Sequence, residues 1–267
     1  MATTSTDTSG TGTSSLKKTA TCPATGATYE FRAPEPGDSR SPCPALNTMA
    51  NHGYIPRDGK ALSGWQIVRG LVNCYGLTTP FSIFLSYTTF LLLKKLGRRI
   101  DLYEIGEHGV VEHDASLVHR NTGTGEKYAP IDIDKDLLAK FVKEARTEVE
   151  VEVEVDGKKE LEKLNLLTIA DVGRARVRRE KESPPLDAKH AEIARGEVAI
   201  ILGVWETKTK DVTGTRMDWL ERWLGEERLP DGWKPARAVG MFETVRRAKA
   251  IRAATEAVRA AEAAKTD

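Results

Sequence analysis

Apolar residues recur at three- and four-residue intervals over much of the chain, which is the pattern of amphipathic helices. In the segment SGWQIVRGLVNCYGL, the residues that share one helical face are Trp65, Val68, Leu71, Val72 and Tyr75. Pro80 then breaks or restarts the helix before the most apolar run, FSIFLSYTTFLLL, at residues 81–93. This run is shorter than the ~20 residues that cross a bilayer, so it predicts a buried core helix and no membrane span.

Other segments are also helical in pattern, and several open with a Thr or Asp that suits an N-cap. They are DIDKDLLAKFVKEAR, LTIADVGRARVRREKES, LDAKHAEIARGEVAIILGVW, RMDWLERWLGEERL and FETVRRAKAIRAATEAVRAAEAAK. By contrast, TEVEVEVEVDGKKELEKLN alternates Glu and Val with a period of two and carries the turn dipeptide Asp156-Gly157. The sequence therefore predicts a mainly α, single-domain fold, all-α apart from a small β-hairpin inserted near residues 147–160.

Composition divides the chain into three parts. Residues 1–20 are mostly Thr, Ser and Gly with almost nothing to bury, which predicts a disordered tail. Residues 21–240 then form the predicted domain. The Ala-rich stretch at residues 241–267 predicts a C-terminal helix, which either packs on the core or forms a self-association surface. The second alternative predicts a homodimer.

Charge and cysteine content exclude some classes of protein. The 40 basic and 39 acidic residues nearly cancel, so no net field draws the molecule to nucleic acid. The three cysteines are odd in number and widely spaced, which does not indicate a disulfide framework. The N-terminus has no basic start followed by an apolar segment, so the sequence as written predicts an intracellular protein. If the printed sequence lacks its leader, the prediction is a secreted one.

Candidate chemistry begins with the segment PCPALNTMANHG. Pro44 suits the first position of a helix, which places Cys43 at the N-cap. There the free N–H groups of the first turn favour a thiolate, the form that a metal ligand or a nucleophile requires. The alternative is that Cys43 is a small buried hydrophobe. His52 lies at the far end of the same short helix, so it is badly placed to activate a nucleophile, whereas a metal site needs only the sulfur.

A second dense segment, EIGEHGVVEHDASLVHR, spans residues 104–120. His108 and His113 are five residues apart, and the zinc metalloprotease signature requires four. In EHDAS, Glu112 and Ser116 are four apart and would share one face of a helical turn, where their oxygens suit Mg²⁺. The alternative is a solvated acidic turn.

Taken in order, PCPALNTMANHGYIPRDG and the later EHDASL resemble the haem-thiolate peroxidase family, which comprises fungal chloroperoxidase and the unspecific peroxygenases. A third segment, GEERLPDGWKP at residues 225–235, is similar to the C-terminal motif of that family. The resemblance runs from about residue 29 to residue 235. It implies a helical chloroperoxidase-like fold.

The resemblance also implies two cofactors. Cys43 would be the thiolate ligand of a haem b iron. Glu112, the His113 carbonyl and the Ser116 hydroxyl would bind Mg²⁺ beside a haem propionate.

On the other face of the haem, the resemblance implies a catalytic group. His113 would partner a downstream glutamate, and Asp114 would hold His113. RGEVAIILGVW offers Glu197 as that glutamate. The competitors, Glu180 and Glu182, lie on a strongly basic stretch expected to be exposed. The predicted wall of an apolar pocket comprises Val111, Ile193 and, as a weaker candidate, Phe84.

The function that the resemblance implies is a peroxygenase, which uses hydrogen peroxide to hydroxylate or epoxidise small apolar organic molecules and has peroxidase activity besides. The nearest alternative keeps the haem but oxidises halide. Two other classes stay open: a cation-dependent hydrolase that uses Glu112, His113 and Asp114 without haem, and a helical scaffold that binds partners through its C-terminus.

Overall fold

The computed structural model describes residues 29–155 and 158–265, so the predicted tail, Cys22 and the Asp156-Gly157 turn lie outside the described residues. The α-helices are α1 (Pro44–Asn51), α2 (Gly64–Tyr75), α3 (Thr79–Leu92), α4 (Lys135–Val142), α5 (Ile169–Lys181), α6 (Ala188–Val204), α7 (Met217–Glu226) and α8 (Met241–Ala263). A 3₁₀ helix occupies Leu102–Gly106. The mainly α prediction is therefore confirmed.

Local capping explains where α2 begins and ends. The Ser63 hydroxyl accepts the N–H of Gln66, and the Gln66 side chain accepts the N–H of Ser63, which is a capping box. At the other end Gly76 adopts the left-handed conformation with φ of +68°, which an L residue rarely adopts. The apolar face between these caps packs against α3 and contributes the buried Cys74, as expected of a core cysteine.

The outer face of α3 differs from the prediction of a buried core helix. Ser82, Ser86 and Phe90 are buried on its inner face. The exposed side chains on its other face are Ile83, Phe84, Tyr87, Leu91 and Leu92. The prediction was wrong because an apolar run shows only that the helix has few polar positions. It does not show how many neighbouring elements cover the helix. No helix among the described residues is long and apolar enough to cross a membrane.

A four-stranded antiparallel sheet is larger than the predicted hairpin. Its strands are β1 (Thr147–Val155), β2 (Lys158–Leu167), β3 (Glu206–Lys208) and β4 (Thr213–Arg216), in the order β1-β2-β4-β3. The hairpin of β1 and β2 is confirmed, with Val151 opposite Glu162. The all-α description is wrong, because β3 and β4 add a second hairpin too short and polar to show a period of two.

The C-terminal helix α8 packs against α5 and α6. A Cβ at Gly173 of α5 would lie 2.9 Å from the backbone of Ala254, so glycine permits this close approach. Ile251 is fully buried, and Arg247 forms an ion pair with Glu206 at 2.6 Å. Packing on the core is therefore what the structure shows for this helix, and a homodimer stays a prediction.

Tryptophan side chains from three elements meet behind α2. The Trp205 ring, at the end of α6, lies 4.0 Å from the Trp233 ring and 5.4 Å from that of Trp223. The Trp233 indole donates to the Cys74 carbonyl at 2.8 Å. The cluster thus fixes the last third of the chain against α2.

We predict that Trp205→Ala lowers the free energy of unfolding by about 3–5 kcal/mol, because it leaves a cavity in this cluster. Urea unfolding measures the change. Trp65→Ala is the matched control, since that side chain is about half exposed, and it should change the free energy by no more than about 0.5 kcal/mol. Equal losses in the two variants would show that the cluster is not a stabilising core.

Candidate functional site

Cys43 lies at the start of α1, as the sequence predicts. It is the N-cap residue, with φ of −95° and ψ of 105°, and Pro44 is the first helical residue. The Cys43 carbonyl accepts the N–H groups of Leu46 and Asn47, both at 3.2 Å. The thiol is free and partly buried, and it makes no capping hydrogen bond. The sulfur is therefore available as a ligand at a helix N-terminus.

A buried network fixes the backbone on both sides of Cys43. The Ser41 hydroxyl accepts the N–H of Cys43 at 3.2 Å. The Asn47 side chain accepts the N–H of Ser41 at 2.9 Å and donates to the Ser41 carbonyl at 2.7 Å. Because Ser41 and Asn47 are both nearly inaccessible to solvent, these hydrogen bonds do not compete with water.

The same helix face binds the third sequence motif. Asn47 donates to the Glu227 carboxylate at 2.5 Å, and Asn51 donates to the Glu227 carbonyl at 3.3 Å. Glu227 is held with φ of +50°, a conformation that favours glycine. The His52 ring accepts the N–H of Leu229 and bonds the Tyr29 carbonyl at 2.8 Å. His52 thus has a structural role, because it connects the segments around Tyr29 and Leu229. This agrees with its poor placement for activating Cys43.

Burial raises the pKa of the Cys43 thiol to about 11. The N–H groups of Leu46 and Ala45 oppose this effect, as expected at a helix start, but they do not outweigh it. The Glu197 and Glu227 carboxylates raise the pKa further. The helix N-terminus alone therefore does not make Cys43 a thiolate.

His113 and Glu197 lie next to each other. The His113 Nε2 lies 3.5 Å from the Glu197 Oε2, and the imidazole is buried whereas 57 % of the Glu197 side chain is exposed. The His113 Nδ1 lies 2.6 Å from the backbone carbonyl of Asp114 and donates to it, which leaves Nε2 facing Glu197. The Asp114 carboxylate instead accepts the N–H of Thr122 at 3.0 Å. Asp114 therefore orients His113 through its backbone.

Burial lowers the pKa of His113, but the Glu197 carboxylate and the Asp114 carbonyl outweigh it, so the pKa lies above its ordinary value. An imidazolium beside a carboxylate is an ion pair that holds both groups in place. The pair thus holds the Glu197 carboxylate against the imidazole.

Glu180 and Glu182 do not contact His113. Glu180 binds Arg176 at 3.0 Å and also pairs with Arg259, and Glu182 pairs with Arg179 at 3.3 Å. Of the three candidate glutamates, Glu197 is therefore the one that the structure brings to the histidine.

Sequence reasoning missed the role of α5, whose basic stretch it expected to be exposed. Arg176 and Arg179 are buried, since they point inward to the loop that carries His113. Arg176 donates to the Ala115 carbonyl at 2.8 Å, and Arg179 donates to the Ser116 carbonyl at 2.7 Å. Residues three apart share one face of a helix, which was the available signal. The many basic residues of this segment instead favoured the prediction that it is exposed.

His190 is a second residue that sequence reasoning missed. It is buried on α6, seven residues before Glu197 and thus on the same helical face. Its ring centroid lies 6.1 Å from that of His113, and its Nδ1 bonds the Asp187 carboxylate at 2.9 Å. Its Nε2 is buried and has no hydrogen-bond partner within the described part of the chain. The spacing of seven was the available signal.

The predicted pocket residues occupy three places. Ile193 is partly buried on α6, one turn before Glu197. Val111 is partly buried in the loop before His113, and Lys189 of α6 bonds the neighbouring Val110 carbonyl at 3.1 Å. Phe84 is 50 % exposed on the outer face of α3. The pocket roles of these three residues stay predictions.

The helical turn expected to join Glu112 and Ser116 is not formed. This segment is an irregular loop, in which His108 and Glu112 pair as an isolated bridge. The Glu112 carboxylate binds the His108 ring at 2.7 Å, and the Ser116 hydroxyl accepts the N–H of His119 at 3.1 Å. The two side chains predicted to bind magnesium thus already have protein partners, because two loop bridges replace the helix.

Comparison with known proteins assigns the family. The model of the family described as "Peroxidase, family 2" matches residues 29–238, so the chain belongs to this family. The chain is 28 % identical over 236 residues to a chloroperoxidase of Leptoxyphium fumago, which covers 82 % of this chain and 60 % of that protein. It is 27 % identical over 139 residues to an aromatic peroxygenase of Coprinellus radians, which covers 45 % of this chain and 52 % of that protein.

A third relative is an aromatic peroxygenase of Cyclocybe aegerita, 30 % identical over 118 residues, or 38 % of this chain and 32 % of that protein. These matches confirm the resemblance to the haem-thiolate peroxidases. The chain spans 60 % or less of the length of each of these relatives.

We predict that Asn47→Ala lowers the free energy of unfolding by about 2 kcal/mol or more. Each buried group left without a partner costs about 1–3 kcal/mol, and Asn47 serves both Ser41 and Glu227. Urea unfolding gives the free energy, and amide exchange at Ser41 reports the local effect. Asn73→Ala, on the exposed face of α2, is the matched control. If the two variants lose the same stability, Asn47 does not tie the motifs together.

Proposed function

We propose that this chain is a haem-thiolate peroxygenase. It would bind haem b through Cys43 and use hydrogen peroxide to hydroxylate or epoxidise small apolar organic molecules, with peroxidase activity besides. The observation that carries the proposal is the His113–Glu197 pair at 3.5 Å, close enough to Cys43 for the Glu197 carboxylate to raise the pKa of the thiol. Membership of the peroxidase family supports the choice of chemistry.

The residues present fit a thiolate-bound haem. Cys43 offers a free sulfur with no capping hydrogen bond, on a backbone that Ser41 fixes. A coordinating metal ion deprotonates a thiol outright, so the raised pKa of Cys43 does not exclude ligation. The buried His190 Nε2, which has no hydrogen-bond partner among residues 29–155 and 158–265, lies on the same helix as Glu197 and can accept a hydrogen bond from a polar group or water. When bound, a haem with a thiolate ligand supplies the electron density that favours O–O cleavage.

Glu197 is the proposed acid–base catalyst. As an exposed carboxylate it can take a proton from one oxygen of hydrogen peroxide and return it to the other, which leaves as water, while the first oxygen is the one transferred to the substrate. His113 holds the carboxylate through the ion pair, and the Asp114 carbonyl holds the imidazole. The buried Arg176 and Arg179 are positioning residues, because they fix the loop from which His113 projects.

An apolar substrate suits the surroundings of Glu197. Ile193 and Val111 are the proposed wall, with Phe84 as a weaker member. Apolar side chains beside a single catalytic carboxylate favour uptake of organic molecules and exclude bulk water.

Magnesium at Glu112, the His113 carbonyl and Ser116 stays a prediction that the described geometry does not fit. Glu112 would have to leave His108, and the Ser116 hydroxyl would have to leave the N–H of His119. No catalytic step is assigned to this ion.

Halide oxidation is the second candidate, since one of the relatives is a chloroperoxidase. Product analysis with and without bromide distinguishes the two reactions. The hydrolase alternative is not better supported, since residues 29–155 and 158–265 contain no group of three His, Cys, Asp or Glu side chains that could hold a metal ion. Compartment, partners and oligomeric state stay predictions.

We predict that the reduced, carbon-monoxide-bound protein shows a strongly red-shifted Soret band, and that Cys43→Ala abolishes this band. Thiolate ligation causes the shift, and the variant removes the thiolate. Absorption spectra of the two haem-reconstituted proteins are the measurement. Cys74→Ala, in the core, is the control and should keep the band. The spectrum of a histidine-ligated haem in the wild type would refute the assignment of Cys43.

We predict that Glu197→Gln keeps haem but lowers peroxide-driven turnover by about 10²–10⁴-fold, the usual contribution of a positioned acid–base group. Initial rates at saturating peroxide measure this loss. Glu182→Gln is the matched control, because Glu182 pairs with Arg178 and Arg179 and does not contact His113, and its rate should stay within a factor of about two. A normal rate for Glu197→Gln together with a reduced rate for Glu182→Gln would assign the acid–base role to Glu182 instead.

A further inference from the structure

The exposed side of α2 and α3 carries an apolar face. We give this name to the exposed side chains Trp65, Ile83, Tyr87, Leu91, Leu92 and Leu96, which Phe84 adjoins. Leu91 and Leu96 are 58 % and 52 % exposed. Such a patch of large side chains, as opposed to isolated apolar residues, marks an interaction surface.

These side chains form one continuous surface because α2 and α3 are packed together. The Ser86 hydroxyl donates to the Gly64 carbonyl at 2.9 Å, which sets Trp65 beside α3. A Cβ at Gly64 would lie 3.2 Å from the Tyr87 ring. Leu62 pairs with Ile100, so the segment after α3 returns to the start of α2 and brings Leu96 to the same end.

Basic residues lie near the Leu96 end of the apolar face. Residues 59–100 contain no Asp or Glu, although the whole chain is nearly neutral. The basic residues in this range are Lys60, Arg69, Lys94, Lys95, Arg98 and Arg99. We call Arg69, Lys94, Arg98 and Arg99 the basic rim. Lys95 pairs with Glu104, but no member of the basic rim has an acidic partner within residues 29–155 and 158–265.

The backbone at the end of α3 also places a lysine where glycine is favoured. Lys94 has φ of +57°, and the N–H of Lys95 bonds the Phe90 carbonyl at 2.8 Å, as in a Schellman motif. A left-handed lysine is less favourable than a right-handed one. The position nevertheless carries a long basic side chain next to Leu91.

We propose that the apolar face and its basic rim bind the surface of an anionic lipid bilayer. Exposed Trp, Tyr and Leu side chains enter the boundary between headgroups and acyl chains, while lysine and arginine reach the lipid phosphates. The molecule lies on the bilayer without crossing it. The binding does not require the haem site or the proposed activity.

Two other occupants suit the face less well. A second copy of the chain that contacts the face through its own apolar face would offer no Asp or Glu from residues 59–100 to pair with the basic rim. The N-terminal residues 1–28 are mostly Thr, Ser, Gly and Ala, and their charged residues are Asp7, Lys17 and Lys18. With one acidic residue, and with Met1 and Leu16 as its large apolar residues, that segment has too few of either kind to complement the face.

The test measures sedimentation of the full chain with phosphatidylserine–phosphatidylcholine vesicles and with pure phosphatidylcholine vesicles at about 0.1 M salt. Binding to the anionic vesicles and weaker binding to the neutral ones is expected. Lys94→Glu with Arg98→Glu should weaken binding by at least about thirty-fold, since each basic residue near the surface contributes about five-fold. Arg246→Glu with Lys249→Glu on exposed positions of α8 changes net charge equally and should keep most of the binding.

The apolar contribution has its own pair of variants. Leu91→Gln with Leu96→Gln should weaken binding to the anionic vesicles at least ten-fold. The matched control is Leu161→Gln with Val245→Gln, at exposed positions of β2 and α8. Each variant should fold, because all the substituted side chains are exposed. Circular dichroism and urea unfolding check this.

Three results would overturn the proposal. The first is failure of the wild type to sediment with anionic vesicles. The second is equal loss in a test pair and its control, which would indicate a general charge or solubility effect. The third is a wild-type dimer in sedimentation velocity without lipid that Leu91→Gln with Leu96→Gln converts to a monomer, which would assign the face to a second copy.

Discussion

The position of the Cys43 sulfur depends on one buried amide side chain. Asn47 bonds both polar groups of the Ser41 backbone, and Ser41 in turn holds the N–H of Cys43. The same amide reaches Glu227, 180 residues further along the chain. A buried amide must satisfy its donors and its acceptor. The segment around Cys43 and the segment around Glu227 can therefore pack together only in the arrangement that preserves these hydrogen bonds. The cysteine is thus positioned by long-range packing as much as by its own helix.

His113 and Glu197 are also held in place by contacts with distant parts of the chain. His113 projects from an irregular loop, and α5 binds the carbonyl groups of Ala115 and Ser116 in this loop through Arg176 and Arg179. Glu197 projects from α6, a long helix that packs on α8. A loop residue tied by buried arginines therefore meets a residue on a rigid helix. This combination gives the carboxylate a fixed partner while leaving more than half of its side chain accessible.

The sequence predicted the helices that have a clear apolar face and a cap, and it placed Cys43 at an N-cap. The family resemblance, and not the residue pattern, implied that Glu197 is the partner of His113. The features that it missed depend on neighbours. A helical turn at Glu112 was expected from a spacing of four, but this segment instead forms isolated bridges between His108 and Glu112 and between Glu107 and Tyr128. Arg176 was expected on the surface from its charge, although a carbonyl and Glu180 make its burial tolerable. Residue type alone could not reveal either arrangement.

The helix α3 shows the same limit from the opposite direction. A helix that is apolar on all sides is normally buried, since burying a large apolar side chain fully is worth about 1.5–3 kcal/mol. Here one side of α3 is covered by α2 and the other faces outward, so the chain itself does not recover that energy. Apolar residues exposed in a row are selected against unless something outside the molecule covers them. The absence of acids from residues 59–100 indicates an anionic partner, because acidic residues on this face would oppose it and basic ones would not.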